Sequence, residues 1–333
     1  YTPTYVVEHI VRRTLVPRLE GKSPRQIAGL RVLDPACGSG SFLLVAYQHL
    51  LDWYHRYYTT HSPEKHARGK QPALVAVTGG WALSIAERKH ILTRHVFGVD
   101  VDSQAVEVTK LSLLLAVLEG ETAQTLQLAL IHERVLPDLA DNIKCGNSLI
   151  GSDFEADAPA PIRASDWAFD WEGKGGFAGV MKEGGFDVVI GNPPYARIQT
   201  LPAPEVAYLT RRYASASTGS CDLYVSFVER AYGLLRAGGR LGFIVPNKFF
   251  RTDYGVGLRR FLSDAAAPAE IVDFGHEQVF EATIYTCILV VDRTPRSTTR
   301  LAESRASAAA LASAEYREIP TKTLTAERHL EEQ

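Results

Sequence analysis

The segment that most constrains this chain is Asp34-Pro35-Ala36-Cys37-Gly38-Ser39-Gly40-Ser41-Phe42, a Gly-rich turn between an apolar run and an amphipathic one. The run Arg31–Asp34 predicts a buried strand, and apolar residues at helical spacing predict a helix over Ser41–Tyr57. A strand that turns directly into a helix is half of a parallel crossover unit, and the rest of the chain supplies the partners. Val96–Asp100, Phe186–Ile190, Arg240–Val245 and Glu270–Phe274 read as strands mostly apolar on both faces. Ser103–Leu118 follows an Asp/Ser cap, and Leu223–Leu235 runs into Arg-Ala-Gly-Gly, a helix stop. Gln278–Phe280 and Tyr285–Asp292 read as a closing antiparallel pair. The expected fold is α/β and doubly wound: a mostly parallel sheet with helices on both faces and an antiparallel edge.

The chain has 333 residues, 46% hydrophobic and 22% charged, enough for one large domain or one domain with a small appendage. The domain is expected over residues 1–295, with insertions near 55–78, 152–185 and 196–220 that are long enough to carry function. The Ala/Ser/Thr/Glu-rich stretch 296–333 reads as a linker or the start of a following domain. An opening at Tyr1 without Met suggests a piece of something longer. No run of ~18 apolar residues and no charged-then-apolar leader occurs, so neither a membrane span nor a secretory signal is expected, and the cytoplasm is the default location. Cys37, Cys145, Cys221 and Cys287 lack CxxC spacing, which argues against a zinc site or a disulfide framework. His49, His55, His61, His66, His90 and His95 show no recognised ligand spacing either, so no metal is expected. A formal charge of −2 carries no basic signature, which leaves any nucleic-acid contact to local patches or to protein outside this chain.

Three constellations carry chemistry. In the first, Gly38 and Gly40 let the backbone pass close to a ligand, and the following helix aims its N–H groups at an acidic end. A carboxylate or a phosphate fits that description equally. Asp34 shifts the balance, because a fixed negative charge repels phosphate and attracts an ammonium or sulfonium group, and no Gly-Lys-Ser/Thr follows. In the second, Gly98-Val99-Asp100-Val101-Asp102 places an acid at a strand's carboxyl end. Alone it is either a helix cap or an acceptor for ribose hydroxyls; beside the first motif it favours an adenosine-containing cofactor. The third is Asn192-Pro193-Pro194-Tyr195, which follows Gly191. An aromatic amine is a weak nucleophile because its lone pair is delocalised into the ring. The Asn192 side-chain oxygen and the Pro193 carbonyl can each accept one N–H and draw the nitrogen toward sp3 geometry as it attacks. Two prolines fix the backbone behind both acceptors, and Tyr195 offers a face to an extruded base. Asn-Pro-Pro is otherwise a plain turn signal.

Taken together, and with the cofactor motifs preceding the catalytic one, these residues resemble the gamma class of N6-adenine DNA methyltransferases over about Tyr1 to Asp292. The resemblance implies a seven-stranded-type, Rossmann-like methyltransferase sheet, S-adenosyl-L-methionine as cofactor and DNA as partner. Tyr1-Thr2-Pro3, followed by a helix over Tyr5–Leu15, looks like the motif that covers the methionine moiety. Asp34, Pro35, Ala36, Cys37, Gly38, Gly40 and Phe42 match the Gly-rich motif, while Asp100 and Val101 match the ribose motif. Cys145-Gly146-Asn147-Ser148-Leu149 is similar to the motif contacting the cofactor adenine, with Asn147 where the family more commonly has Asp, and Ser148 beside it. Asn192 also borders the cofactor, and Asp222-Leu223-Tyr224 with Phe227 resembles the helix flanking its pocket. Pro246-Asn247-Lys248-Phe249-Phe250 looks like the source of a second base-stacking aromatic, Phe249 being favoured without excluding Phe250.

The stretch from Asn192 through the Tyr/Arg-rich loop to Cys221-Asp222-Leu223-Tyr224 is particularly similar to large single-chain (type IIG-like) restriction–modification enzymes and phage-defence methyltransferases. Such proteins carry a target-recognition domain, expected here outside the chain, and often a nuclease. No PD…(D/E)xK pattern stands in a suitable strand context, so this chain is not expected to cleave DNA. Arg197, Arg211, Arg212, Lys248, Arg251, Arg259 and Arg260 lie in or beside the catalytic-side loops and could bind phosphates, although Arg259-Arg260 also reads as a solvated helix face. Two rivals remain: a protein glutamine-N5 methyltransferase, which shares Asn-Pro-Pro-Tyr, and a catalytically silent nucleic-acid-binding scaffold.

Overall fold

The computed structural model describes residues 1–120, 137–156, 168–264, 268–281, 284–321 and 323. In chain order the strands are β1 (Val32–Asp34), β2 (Leu74–Val77), β3 (Gly80–Leu83), β4 (Val96–Asp100), β5 (Ile143–Cys145), β6 (Phe186–Gly191), β7 (Leu235–Pro246), β8 (Pro268–Gln278), β9 (Tyr285–Asp292), β10 (Thr298–Glu303) and β11 (Arg317–Pro320). All but β2 and β3 form one nine-stranded sheet in the order β11-β10-β8-β9-β7-β6-β1-β4-β5. From β7 to β5 every pairing is parallel, and β9 lies antiparallel between β7 and β8. This is the doubly wound, mostly parallel sheet with an antiparallel side that the apolar runs predict.

Alternation along the strands divides the core between two faces. Val32, Val188 and Ile190 pack on one side with the helices Thr4–Thr14 and Ser41–Thr60, through Val6, Ile10, Leu43 and Leu50. Leu33, Phe186 and Val189 pack on the other, with Tyr224 and Val228 of helix Leu223–Leu234 and with Tyr208 and Leu209 of helix Ala203–Arg212. Strands buried on both faces have no polar side to show, which is why they read as continuous apolar runs.

The insertions are more ordered than their composition suggests. The helix after the Gly-rich turn continues to Thr60, and a two-stranded hairpin, β2–β3, packs back on it with His55 bonded to the Trp81 carbonyl (2.8 Å). Within the segment 152–185, Phe169, Trp171 and Phe177 form an aromatic cluster against Phe97 and Phe186, while residues 157–167 of that insertion lie outside the described ones.

The domain limit expected at 295 is corrected. Residues 298–320 add two strands to the sheet, β10 parallel to β8 and β11 antiparallel to β10. Their anchor is Glu270, only 3% exposed, which accepts hydrogen bonds from Arg13 Nε (3.0 Å), Tyr316 Oη (2.8 Å) and Arg300 (3.5 Å). Burial alone would raise its pKa, but hydrogen bonds from His9 and Arg13 and the Arg13 charge outweigh it and hold the carboxyl down at about 2. A buried acid shared by the first helix, β8, β10 and the approach to β11 makes the Ser/Ala-rich tail part of the domain. Composition reads that stretch as a linker because the partners of its charges lie far away in sequence. Residues 324–333 lie outside the described ones.

Candidate active site

Because β1, β4, β5 and β6 run parallel, their carboxyl ends meet at one edge, and each delivers a motif there. Asp34 stands beside Gly98, Asp100 beside Cys145, and Leu33 beside Val189, two residues before Gly191. The cavity they open has a volume of about 290 Å³. Its walls come from Pro35 and Ala36, from Asp100 and Val101, from Gly146 to Ile150, and from Asn192 and Pro194. Leu201, Glu205, Leu209, Leu223 and Phe227 complete it on the far side.

The turn after β1 is held from three directions. Gly40 has φ +85°, and a Cβ there would lie 3.0 Å from the Thr109 methyl, so helix Ser103–Leu118 can brace the turn closely only because residue 40 is glycine. Thr109 Oγ1 donates to the Gly38 carbonyl (2.7 Å). The Asp100 carboxylate accepts the Gly38 N–H at Oδ2 (2.8 Å) and the Asp102 N–H at Oδ1 (2.9 Å), and Ser148 Oγ donates to the Pro35 carbonyl (2.6 Å). Asp34 is 1% exposed and accepts the Ala36 N–H (3.0 Å). A Cβ on Gly191 would come within 2.6 Å of Asp34 Oδ1, so this glycine lets β6 carry the next motif past a buried acid. Burial pushes the Asp34 carboxyl up to about 8, with the Ala36 hydrogen bond offsetting part of the shift and the Asp100 charge adding to it.

At the end of β6, Asn192 Nδ2 donates to Thr2 Oγ1 (3.1 Å), and the opposite amide atom, Oδ1, is buried with no hydrogen-bond partner. A buried acceptor left empty is costly, so its presence at the mouth of a cavity marks a place for an incoming donor. Pro193 is buried, while Pro194 is exposed and lines the cavity. Tyr195 Oη donates to the Ile244 carbonyl (3.1 Å), and its ring stands edge-on to Tyr224 (6.1 Å) and Phe280 (6.4 Å).

The structure therefore brings Thr2, Pro35, Ala36, Asp100, Val101, Asn147, Asn192, Pro194, Leu223 and Phe227 to one place and leaves other expected residues out of it. Tyr1 is fully exposed and Pro3 caps the first helix. Cys37 and Phe42 point into the core, at 4% and 2% exposure, so their part in the motif is packing beneath the turn. Ser148 lines the cavity, but its hydroxyl is engaged with the Pro35 carbonyl. Phe249 and Phe250 are 1% and 6% exposed, and their rings pack against each other, tilted by 40° with centroids 4.2 Å apart, so both are buried. Lys248 is engaged with Asp222 (2.6 Å), and Arg259, 7% exposed, donates to the carbonyls of Phe249 and Thr252. Arg197, Arg211, Arg212, Arg251 and Arg260 are exposed. Reading by motif missed Glu205 and Leu209, whose i, i+4 spacing was the available signal, and Phe280, which the sequence reads as part of a closing strand and the structure places in the bend between β8 and β9. Among the described residues no cluster of His, Cys, Asp and Glu is placed to hold a metal, and no described helix is long and apolar enough to cross a membrane.

A Gly-rich turn after β1, an acid after β4 and Asn-Pro-Pro-Tyr after β6, all at one edge of a doubly wound sheet, define a Rossmann-like methyltransferase. More narrowly, the chain belongs to the Eco57I restriction-modification methylase family, whose model matches residues 94–280, more than half of its length. It is 33% identical over 296 residues to the type II restriction enzyme and methyltransferase RM.Eco57I of Escherichia coli, covering 88% of this chain and 27% of that protein. It is 26% identical over 282 residues to the adenine-specific methyltransferase PglX of Streptomyces coelicolor, covering 82% of this chain and 21% of that one. The chain thus spans about a quarter of the length of these curated relatives. The fold is shared with a nuclease-deletion mutant of the type ISP restriction-modification enzyme LlaGI, solved with a DNA substrate mimic: TM-score 0.62, 14% identity, 96% of this chain and 26% of that one.

Proposed function

We propose that this chain transfers a methyl group from S-adenosyl-L-methionine to N6 of an adenine turned out of duplex DNA, as the catalytic domain of a restriction–modification or phage-defence protein. The observation that carries the reading is the empty, buried Oδ1 of Asn192 beside a cavity of about 290 Å³. The cavity suits the cofactor: Asp100 still has lone pairs for ribose hydroxyls, Val101 offers an apolar face to a purine, and Asp34 lies behind the turn where a cationic end would sit. When bound, S-adenosylmethionine supplies an electrophilic methyl carbon on a sulfonium. The protein's task is then to prepare the nucleophile. Thr2 holds the Asn192 amide so that Oδ1, and not the amide nitrogen, meets the incoming amine. Asn192 Oδ1 and the Pro193 carbonyl accept the two N–H bonds, drawing nitrogen lone-pair density out of the ring as the new bond forms. Tyr195 offers its ring to one face of the base, and Phe280 stands edge-on beside Tyr195 and sets that ring's angle. Neither a metal nor a covalent enzyme intermediate is needed. Arg197 and its exposed neighbours grip phosphates, and the recognition of the site falls to a domain or subunit beyond this chain.

The test is transfer of labelled methyl by the full-length protein to duplex DNA, offered alongside a glutamine-bearing protein. Label recovered as N6-methyladenine is the expected result; label on the protein alone defeats the reading in favour of glutamine methylation.

Asp34 gives a second measurement. With its folded value raised to about 8 from 3.8, it is protonated in the free protein at neutral pH. Its contribution to the free protein's stability is full below 3.8 and falls away as pH rises toward 8. A cationic ligand favours the ionised form, so binding at pH 7 is expected to release a proton and to tighten as pH rises, levelling off above about 8. Calorimetry in buffers of different ionisation enthalpy reads the proton directly, and Asp34→Asn should abolish the release.

A further inference from the structure

One ionisable group at the cavity has no part in the scheme above. Glu205, in the first turn of helix Ala203–Arg212, lines it beside Leu201 and Leu209, and among the described residues no hydrogen bond or ion pair engages its carboxylate. The helix is pinned to the loop after β5: Tyr208 Oη accepts the Gly151 N–H (3.2 Å) and donates to Asp153 (2.7 Å), and Tyr213 Oη donates to the Leu149 carbonyl (2.7 Å). Glu205 precedes Tyr208 by three residues and Leu209 by four, so it shares the helix face turned toward residues 147–151.

That loop carries Asn147, whose Oδ1 is taken by the Leu149 N–H (3.0 Å). Its two amide N–H donors suit a ring nitrogen of adenine, and its oxygen, neutral and already shared with a backbone N–H, is a weaker acceptor for the exocyclic amine than a carboxylate with no other partner. Asp100, the other carboxylate on the cavity wall, receives a backbone N–H at each oxygen, and its remaining lone pairs are the ones assigned above to the ribose hydroxyls. On the reading of this cavity as the S-adenosylmethionine site, we infer that Glu205 accepts the exocyclic amine of the cofactor's adenine and so makes the site selective for adenine over a 6-oxo purine. Burial raises the Glu205 pKa, as it should for an acid that meets its hydrogen-bond donor only when ligand arrives.

The probes are S-adenosyl-L-homocysteine and its 6-oxo counterpart, S-inosyl-L-homocysteine, titrated by calorimetry into the wild-type chain and into Glu205→Gln and Glu205→Ala. Wild type should bind the adenosyl form about 10- to 100-fold more tightly, the scale of one hydrogen bond to a charged acceptor. Glu205→Gln, whose amide can accept from an amine or donate to a 6-oxo group, should bring the ratio close to one. Glu205→Ala should weaken the adenosyl form by a comparable factor without weakening the inosyl form. If both variants keep the wild-type ratio, the assignment of Glu205 is overturned while the cofactor site stands. If wild type binds neither compound, the cofactor reading falls, and this inference with it.

Discussion

An Asn192→Ala protein is expected to lose methyl transfer by at least about 10²- to 10³-fold in kcat while keeping its affinity for S-adenosylhomocysteine within a few-fold. The asymmetry follows from the geometry. The cofactor side of the cavity is built by Pro35, Ala36, Asp100, Val101 and the 146–150 loop, none of which leans on the Asn192 side chain. The side chain's single hydrogen bond is to Thr2, and its other polar atom is empty until an amine arrives. Removing it deletes one acceptor for the developing charge and leaves the neighbouring walls in place. Thr2→Val, which keeps the shape and removes the hydroxyl, should lower kcat by a smaller factor with KM for DNA little changed, and Thr2→Ser should restore it. Transfer at the native rate by Asn192→Ala would remove the basis of the proposed chemistry.

The second large effect separates two phenylalanines. Phe249→Ala is expected to cost about 3–5 kcal/mol of stability, because the ring is 1% exposed and packs against Phe250 and Tyr224. Per folded molecule its DNA methylation should be close to normal. Phe280→Ala, at a half-buried ring edge-on to Tyr195, should lower stability far less. Instead it should reduce kcat/KM for duplex DNA by up to about 10- to 100-fold, because the Tyr195 ring loses the neighbour that sets its angle and with it part of the ~1–3 kcal/mol of base stacking. Denaturant melts and single-turnover methylation measured on the same two proteins give the answer. If Phe249→Ala proves stable and inactive while Phe280→Ala behaves as wild type, the sequence expectation for Phe249 was right and the ring beside Tyr195 is only packing.

Reading by motif captures what a strand end fixes locally. Asp34, Asp100 and Asn192 were legible because each closes an apolar strand, and parallel strands must end at a common edge whatever the loops do. Gly40 and Gly191 were legible as turn residues, although the reason Gly191 is needed, the Asp34 carboxyl 2.6 Å from any added Cβ, belongs to two strands paired across more than 150 residues. The exposed or buried state of Lys248, Phe249 and Arg259 could not be read in the same way. Lys248 and Phe249 lie in a single helical turn and Arg259 in the helix Val256–Asp264, whose orientations depend on what packs over them, and the Asp222 carboxylate and the Phe249 and Thr252 carbonyls that consume the two cations are not local signals.

Local chemistry in the chain thus determined the strands and helices, the mostly parallel character of the sheet and the three motifs that end its strands, because periodicity, caps and Gly-rich turns act over a few residues; the order of the strands in the sheet was not legible there. Tertiary structure alone decided that the tail joins the sheet through Glu270, that Phe280 and not Phe249 stands by Tyr195, and that Glu205 reaches the cavity. Each of these depends on burial and on partners distant in sequence, and a side chain acquires those only when the chain has closed around it.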